Sequence, residues 1–178
     1  SAWDNRVMGW LNSVRAKART GVTAPGHLID ARVMLDEMRL IKDASEIDCM
    51  RRAAAISVEA HRRAWRATRP GKHEYEIEAE LLHTFRQLGA EAPSYPAIVA
   101  GGANACILHY IGNDQPLRDG DLLLIDAGAE YRGYAGDITR TYPVNGRYSG
   151  AQRAVYDVVL AAHSAAMAKV RPGNPWDA

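Results

Sequence analysis

Apolar positions along the first ninety residues recur at helical spacing. Trp3, Val7, Trp10, Leu11 and Val14 predict a helix over 3–18, broken over 20–26 by Pro25-Gly26. Val33, Leu35, Met38, Leu40 and Ile41 mark a shorter helical stretch over 30–41. Asp43 and Glu46 have capping-box spacing, with Ser45 as a competing cap, so a long helix is expected from there to about Thr68. Arg69-Pro70-Gly71 stops it, because proline cannot continue a helix. Ile77, Leu81, Leu82, Phe85 and Leu88 form the buried stripe of a helix over 74–88, with Gly89 as its stop. After Pro93 the period shortens. Apolar runs between Gly and Asp predict strands at 96–100, 106–110, 122–126, 130–134 and 137–144, followed by an Asn145-Gly146 turn. Ser149 and Gln152 form a second capping-box signature, opening a helix to about Val170 that ends at Arg171-Pro172-Gly173.

The two long helices resemble one another. A shift of 102 residues overlays Arg51 on Arg153, Ala60-His61 on Ala162-His163, Ala64 on Ala166, and both Arg-Pro-Gly stops. A repeat of that length implies two related units. The first fills about 43–147. The second starts near 149 and would need about as many residues again, so the chain is expected to stop early in its second unit.

Composition narrows the class. With 47% hydrophobic and 24% charged residues, the chain is neither disordered nor collagenous. No apolar run of about 18 residues offers a membrane span. The net charge of +1 hides 14 Lys+Arg against 8 Asp+Glu in residues 1–72, and 8 against 13 in 73–178. The basic surplus lies largely on one helix, as Arg51, Arg52, Arg62, Arg63, Arg66 and Arg69, and reads as a solvated face rather than a nucleic-acid surface. Cys49 and Cys106 are too few for a disulfide framework; they read as small core residues in a reducing, cytoplasmic setting.

The acidic surplus carries the chemistry. Asp126 ends the run Leu122-Leu123-Leu124-Ile125, and Asp137 begins or lies within another strand, with Gly128, Gly133 and Gly136 between. A buried carboxylate costs several kcal/mol unless paired or metal-bound. Antiparallel neighbours would bring the two carboxylates within reach of a shared metal pair. Carboxylate oxygens suit hard divalent ions such as Mn²⁺ or Mg²⁺, and two such ions lower the pKa of water and stabilise a tetrahedral intermediate. The alternative is that both aspartates are turn residues or partners of Arg132 and Arg140. His109, on the strand expected at 106–110, could hydrogen-bond a substrate carbonyl or an oxyanion. His61, His73, His83 and His163 fall in helical patterns and read as packing or surface residues.

These segments resemble the metal-dependent Xaa-Pro aminopeptidase (aminopeptidase P) family of pita-bread peptidases, and within it the bacterial group. The likeness rests on Pro93-Ser94-Tyr95-Pro96 through Asn104 to His109-Tyr110, on Asp119-Gly120-Asp121 through Asp126 to Gly128, and on Gly133 through Asp137 to Val144. Glu37 to Lys42, followed by Glu46-Ile47, resembles the entry to the catalytic domain. The resemblance implies an α+β pita-bread fold, a curved antiparallel sheet with helices on its outer face, of which the first half and the start of the second are present. Residues 1–29 would be the end of an N-terminal domain and a linker, and 30–178 the N-terminal half of the catalytic domain.

The implied activity is hydrolysis of the N-terminal peptide bond preceding proline at a dinuclear centre, most simply of two Mn²⁺ ions. Asp126 and the bridging Asp137 would be metal ligands, and His109 the substrate- or transition-state-binding histidine. The remaining His and two Glu ligands of the family have no counterpart after Asp137, so metal is expected to be absent or partial, and the chain alone inactive. Expected partners are a peptide with proline second, other copies of the chain and the remaining C-terminal part of the protein, with no nucleic acid and no membrane. A prolidase, a methionine aminopeptidase-like enzyme and a non-catalytic pita-bread binding module are the competing readings.

Overall fold

The structure is a computed structural model that describes residues 1–175; the last three positions of the 30–178 segment lie outside it. The chain forms two compact units, Ser1–Lys42 and Asp43–Ala178. The first holds α1 (Ala2–Arg15), a short 3-10 turn and α2 (Ala31–Leu40). Ser1 and Asp4 close a capping box on α1, and Arg6 lies over the rings of Trp3 and Trp10. Asp30 caps α2 through the backbone N–H of Arg32.

In the second unit, α3 (Ala44–Ala67) begins as its sequence predicts. The Asp43 carboxylate accepts from the N–H groups of Ser45 and Glu46, while Glu46 accepts from Asp43. After α4 (Glu74–Gln87) come β1 (Ala92–Pro93), β2 (Ile98–Gly101), β3 (Leu122–Ala127), β4 (Ala129–Tyr131), β5 (Tyr134–Ala135) and β6 (Ile138–Pro143), then α5 (Gly150–Lys169). The strands form two antiparallel three-stranded sheets, β1-β4-β5 and β2-β3-β6. The α3 and α5 helices end 102 residues apart, matching the repeat. Their paired histidines diverge: His61 is buried and His163 is exposed.

Leu123, Ile125 and Ala127 alternate inward from β3 and meet Ile56, Ala60 and Ala64 of α3 and Ile77, Leu81 and Phe85 of α4. Each large apolar side chain buried this way contributes roughly 1.5–3 kcal/mol. This packing puts the helices on one face of the sheet. Leu122, Leu124 and Asp126 take the other face, where all three are half-buried. The desolvation expected for Asp126 is therefore only partial: strand alternation turns it away from the core.

Three expectations are corrected. Residues 106–110 are not a strand; a 3-10 helix over Gly102–Cys106 leads into a turn. Cys106 is exposed and Cys49 half-buried, so neither is a core residue, and both are free thiols. Residues 130–134 are not one strand, because Arg132 and Gly133 both adopt positive φ (51° and 81°) and fold the chain back between β4 and β5. Two successive left-handed residues are the signature of a type I′ hairpin turn.

Candidate metal centre

One register runs through the whole ribbon, from Leu122↔Pro143 to Tyr131↔Tyr134, and it sets Gly128 opposite Asp137. Asp126 pairs with Thr139, so the two aspartates are diagonal neighbours across the ladder. Gly128 leaves the place between them free of a side chain. A Cβ on Gly128 would lie 1.7 Å from the carbonyl oxygen of Gly136, and one on Gly136 would lie 2.4 Å from Ser57 Oγ. Glycine is required at Gly128 by close backbone approach and at Gly136 by the Ser57 side chain. Ser57 ties the ribbon to α3, accepting from Ala129 N–H at 2.9 Å and donating to Ala53 O at 2.8 Å. Ser94 N–H donates to Gly128 O at 2.9 Å and Ser94 Oγ to Gly136 O at 3.0 Å.

Tyr95 defines the site. Its hydroxyl lies 2.5 Å from Asp126 Oδ1 and 2.8 Å from Asp137 Oδ1, so those oxygens are no further apart than the sum of the two distances. One phenolic proton cannot be donated to two carboxylates at once. Burial and the two carboxylates push the phenol well above its ordinary pKa, so it stays protonated. Two carboxylates at such a separation repel by about 3 kcal/mol at an effective dielectric near 20. Among the described residues, no Lys or Arg forms an ion pair with either. Arg140 donates to Thr139 O at 2.7 Å and Arg132 lies over the Tyr131 ring, which removes the arginine-partner alternative. This donor set fits hard divalent cations. Among the described residues, no group of three or more His, Cys, Asp or Glu converges to hold a metal.

His109 is displaced from its expected position. It is exposed, sits in the turn after the 3-10 helix with φ 55°, and among the described residues no hydrogen bond joins it to either aspartate. Two relevant residues escaped sequence reasoning. Tyr95 carried only the signal of a phenol held between Pro93 and Pro96. His61 lies beneath the ribbon with its Nε2 3.0 Å from Ala127 O. Since a carbonyl only accepts, Nε2 carries the proton, and among the described residues the buried Nδ1 has no hydrogen-bond partner. Burial lowers the pKa of His61 and keeps it neutral.

A strand pair thus presents two aspartates to one tyrosine hydroxyl, with α3 and α4 packed behind the ribbon. Residues 48–178 match the model of metallopeptidase family M24, and the chain belongs to that family. It is 51% identical over 164 residues to Xaa-Pro aminopeptidase of Escherichia coli, covering 92% of this chain, and 55% identical over 147 residues to that of Haemophilus influenzae, covering 83%. The chain spans 37% and 34% of those relatives' lengths. Among solved structures, Pseudomonas aeruginosa aminopeptidase PepP superposes with a TM-score of 0.93 at 49% identity, over 99% of this chain and 40% of that one. Proline aminopeptidase P II from Yersinia pestis gives 0.87 at 56% identity, over 92% and 38%. The fold is thus the pita-bread type, present in part. Among the described residues, no helix is long and apolar enough to cross a membrane.

Proposed function

We propose that this chain supplies part of the catalytic domain of an Xaa-Pro aminopeptidase, and that Asp126 and Asp137 are its contribution to a two-metal centre. The observation that carries this reading is the single Tyr95 hydroxyl lying between two carboxylates that have no cationic partner among the described residues. Identities of 51% and 55% to Xaa-Pro aminopeptidases, and likeness to a Zn-substituted E. coli aminopeptidase P in complex with product at a TM-score of 0.90, support it. Manganese is the metal that the resemblance to the Xaa-Pro aminopeptidases implies, and hard oxygen donors accept it.

When bound, a pair of divalent cations supplies Lewis acidity and water of lowered pKa. Asp126 and Asp137 would hold that pair from one face of a ribbon whose glycines fix their separation. The Tyr95 hydroxyl meets Oδ1 of each carboxylate and so orients both, leaving the Oδ2 atoms for ligation. His109 offers an N–H to the scissile carbonyl as negative charge develops on its oxygen. Proline at the second position makes the scissile bond a tertiary amide with no N–H, so recognition falls on ring shape and carbonyl. Two free cysteines suit a reducing cytoplasm.

The test is the Asp137→Asn variant of the full-length protein, assayed with Mn²⁺ on a peptide with proline second. Loss of release of the first residue is expected, and retained activity overturns the assignment.

A further inference from the structure

A second carboxylate site lies outside the ribbon. Glu74, in the first turn of α4, is fully buried, and no ion pair reaches it among the described residues. It is nonetheless saturated. Oε1 accepts from Gly101 N–H at 2.8 Å and Asn104 Nδ2 at 3.0 Å; Oε2 accepts from Tyr110 Oη at 2.8 Å and Gln115 N–H at 3.0 Å. A carboxylate offers about four lone-pair directions, and here each meets a donor. All four donors belong to one segment, the loop leaving β2 and returning at Gln115. Asn113, also buried, fixes the same loop to β2: its Oδ1 accepts from Val99 N–H at 3.0 Å and its Nδ2 donates to Ala97 O at 2.8 Å.

Between these anchors sits His109. Its φ of 55° lies in the left-handed region, which costs a non-glycine residue about 1–2 kcal/mol and persists only where the surroundings impose it. His109 itself is exposed, so the constraint comes from its flanks. Tyr110, the next residue, and Asn104, five before, are the two side chains that Glu74 grips.

We infer that Glu74 is a positioning residue, which acts through the loop from Gly101 to Gln115 to hold His109 in the left-handed turn that presents its imidazole to substrate. The inference rests on the reading of His109 as the group that binds the substrate carbonyl. Glu74→Gln is the sharp perturbation. In either orientation its amide NH₂ faces a backbone N–H, that of Gly101 or of Gln115, and one buried donor loses its acceptor.

The experiment is a double-mutant cycle in the full-length, Mn²⁺-loaded protein, combining Glu74→Gln with His109→Ala and measuring kcat, KM and bound metal. Glu74→Gln is expected to lower kcat roughly ten- to a hundredfold with metal content unchanged, the cost of a misplaced reacting group. With His109→Ala already present, it should lower kcat by less than about twofold, since the two losses share one cause. Equal losses in both backgrounds, or a wild-type kcat for Glu74→Gln, overturn the inference. Full activity of His109→Ala would instead remove the reading beneath it, a distinguishable result. If Glu74→Gln does not fold, Tyr110→Phe and Asn104→Ala, which each remove one of the four donors, take its place in the cycle: a loss confined to the His109 background supports the inference, and equal losses in both backgrounds overturn it.

Discussion

Replacing Gly128 by alanine tests how the ribbon holds its two aspartates. Gly128 does not adopt a positive φ, so alanine meets no backbone penalty there; the cost is one of space. The new Cβ would lie 1.7 Å from Gly136 O and 2.4 Å from Gly136 C. Ordinary contacts need about 3.5 Å, so the two backbones must part by well over 1 Å. That separation strains the Gly136 N–H to Ala129 O bond (2.8 Å) and both Ser94 bonds that tie Gly128 to Gly136. Overpacking costs about 1–3 kcal/mol and each lost hydrogen bond about 1 kcal/mol, so up to roughly 4–6 kcal/mol is expected if all three bonds go. Spreading the ribbon also separates Asp126 from Asp137, so metal affinity must fall with stability. Urea denaturation of the metal-free full-length protein, with calorimetric Mn²⁺ titration alongside, reads both. Gly133→Ala is the control: its φ is 81° with no atom within 4 Å of the added Cβ. It should cost about 1 kcal/mol through backbone strain and leave metal binding intact. A loss below about 1 kcal/mol for Gly128→Ala, with unchanged Mn²⁺ affinity, would refute the reasoning.

Further outcomes follow from the same geometry. Tyr95→Phe removes the hydroxyl that orients the carboxylates, and should weaken Mn²⁺ binding about tenfold or more in a calorimetric titration. Unchanged affinity would mean that the phenol is incidental. His61 is held neutral by burial, with Arg140 opposing its protonation and Asp126 favouring it. Its folded-state pKa lies below the unfolded value, so the unfolded chain takes up the extra proton as pH falls through about 6.5. Stability should therefore drop on acidification from that point, by at most about 1.4 kcal/mol per pH unit for this group. His61→Gln should flatten the slope, measured by denaturation between pH 7 and pH 5; identical slopes would contradict it.

Local chemistry was legible in the sequence, and long-range chemistry was not. Asp43 with Glu46 and Ser149 with Gln152 announce helix starts that form as read, because a capping box is satisfied within four residues. The aspartate pair was legible because antiparallel pairing and Gly128 follow from adjacent segments. Residues 106–110 misled: Ile107, Leu108 and Tyr110 have strand composition, but Glu74, some thirty residues upstream, recruits Asn104 and Tyr110 and bends the chain into a turn. Glu74 itself reads as an ordinary acid in a helix's first turn, where the macrodipole would favour it at the surface. Its burial emerges only once β2 and the returning loop close over it. Tyr95 is legible only in space, since the carboxylates it contacts lie 31 and 42 residues away.

The central claim is that Asp126 and Asp137 together grip divalent cations. Its most direct test is the Mn²⁺ stoichiometry of the purified full-length protein beside its Asp126→Asn and Asp137→Asn variants, each checked for wild-type folding by circular dichroism. Close to two ions per chain are expected in the wild type, with a clear loss in both variants and the deeper loss for Asp137, the proposed bridging ligand. Folded variants that retain the wild-type complement of metal would contradict the account.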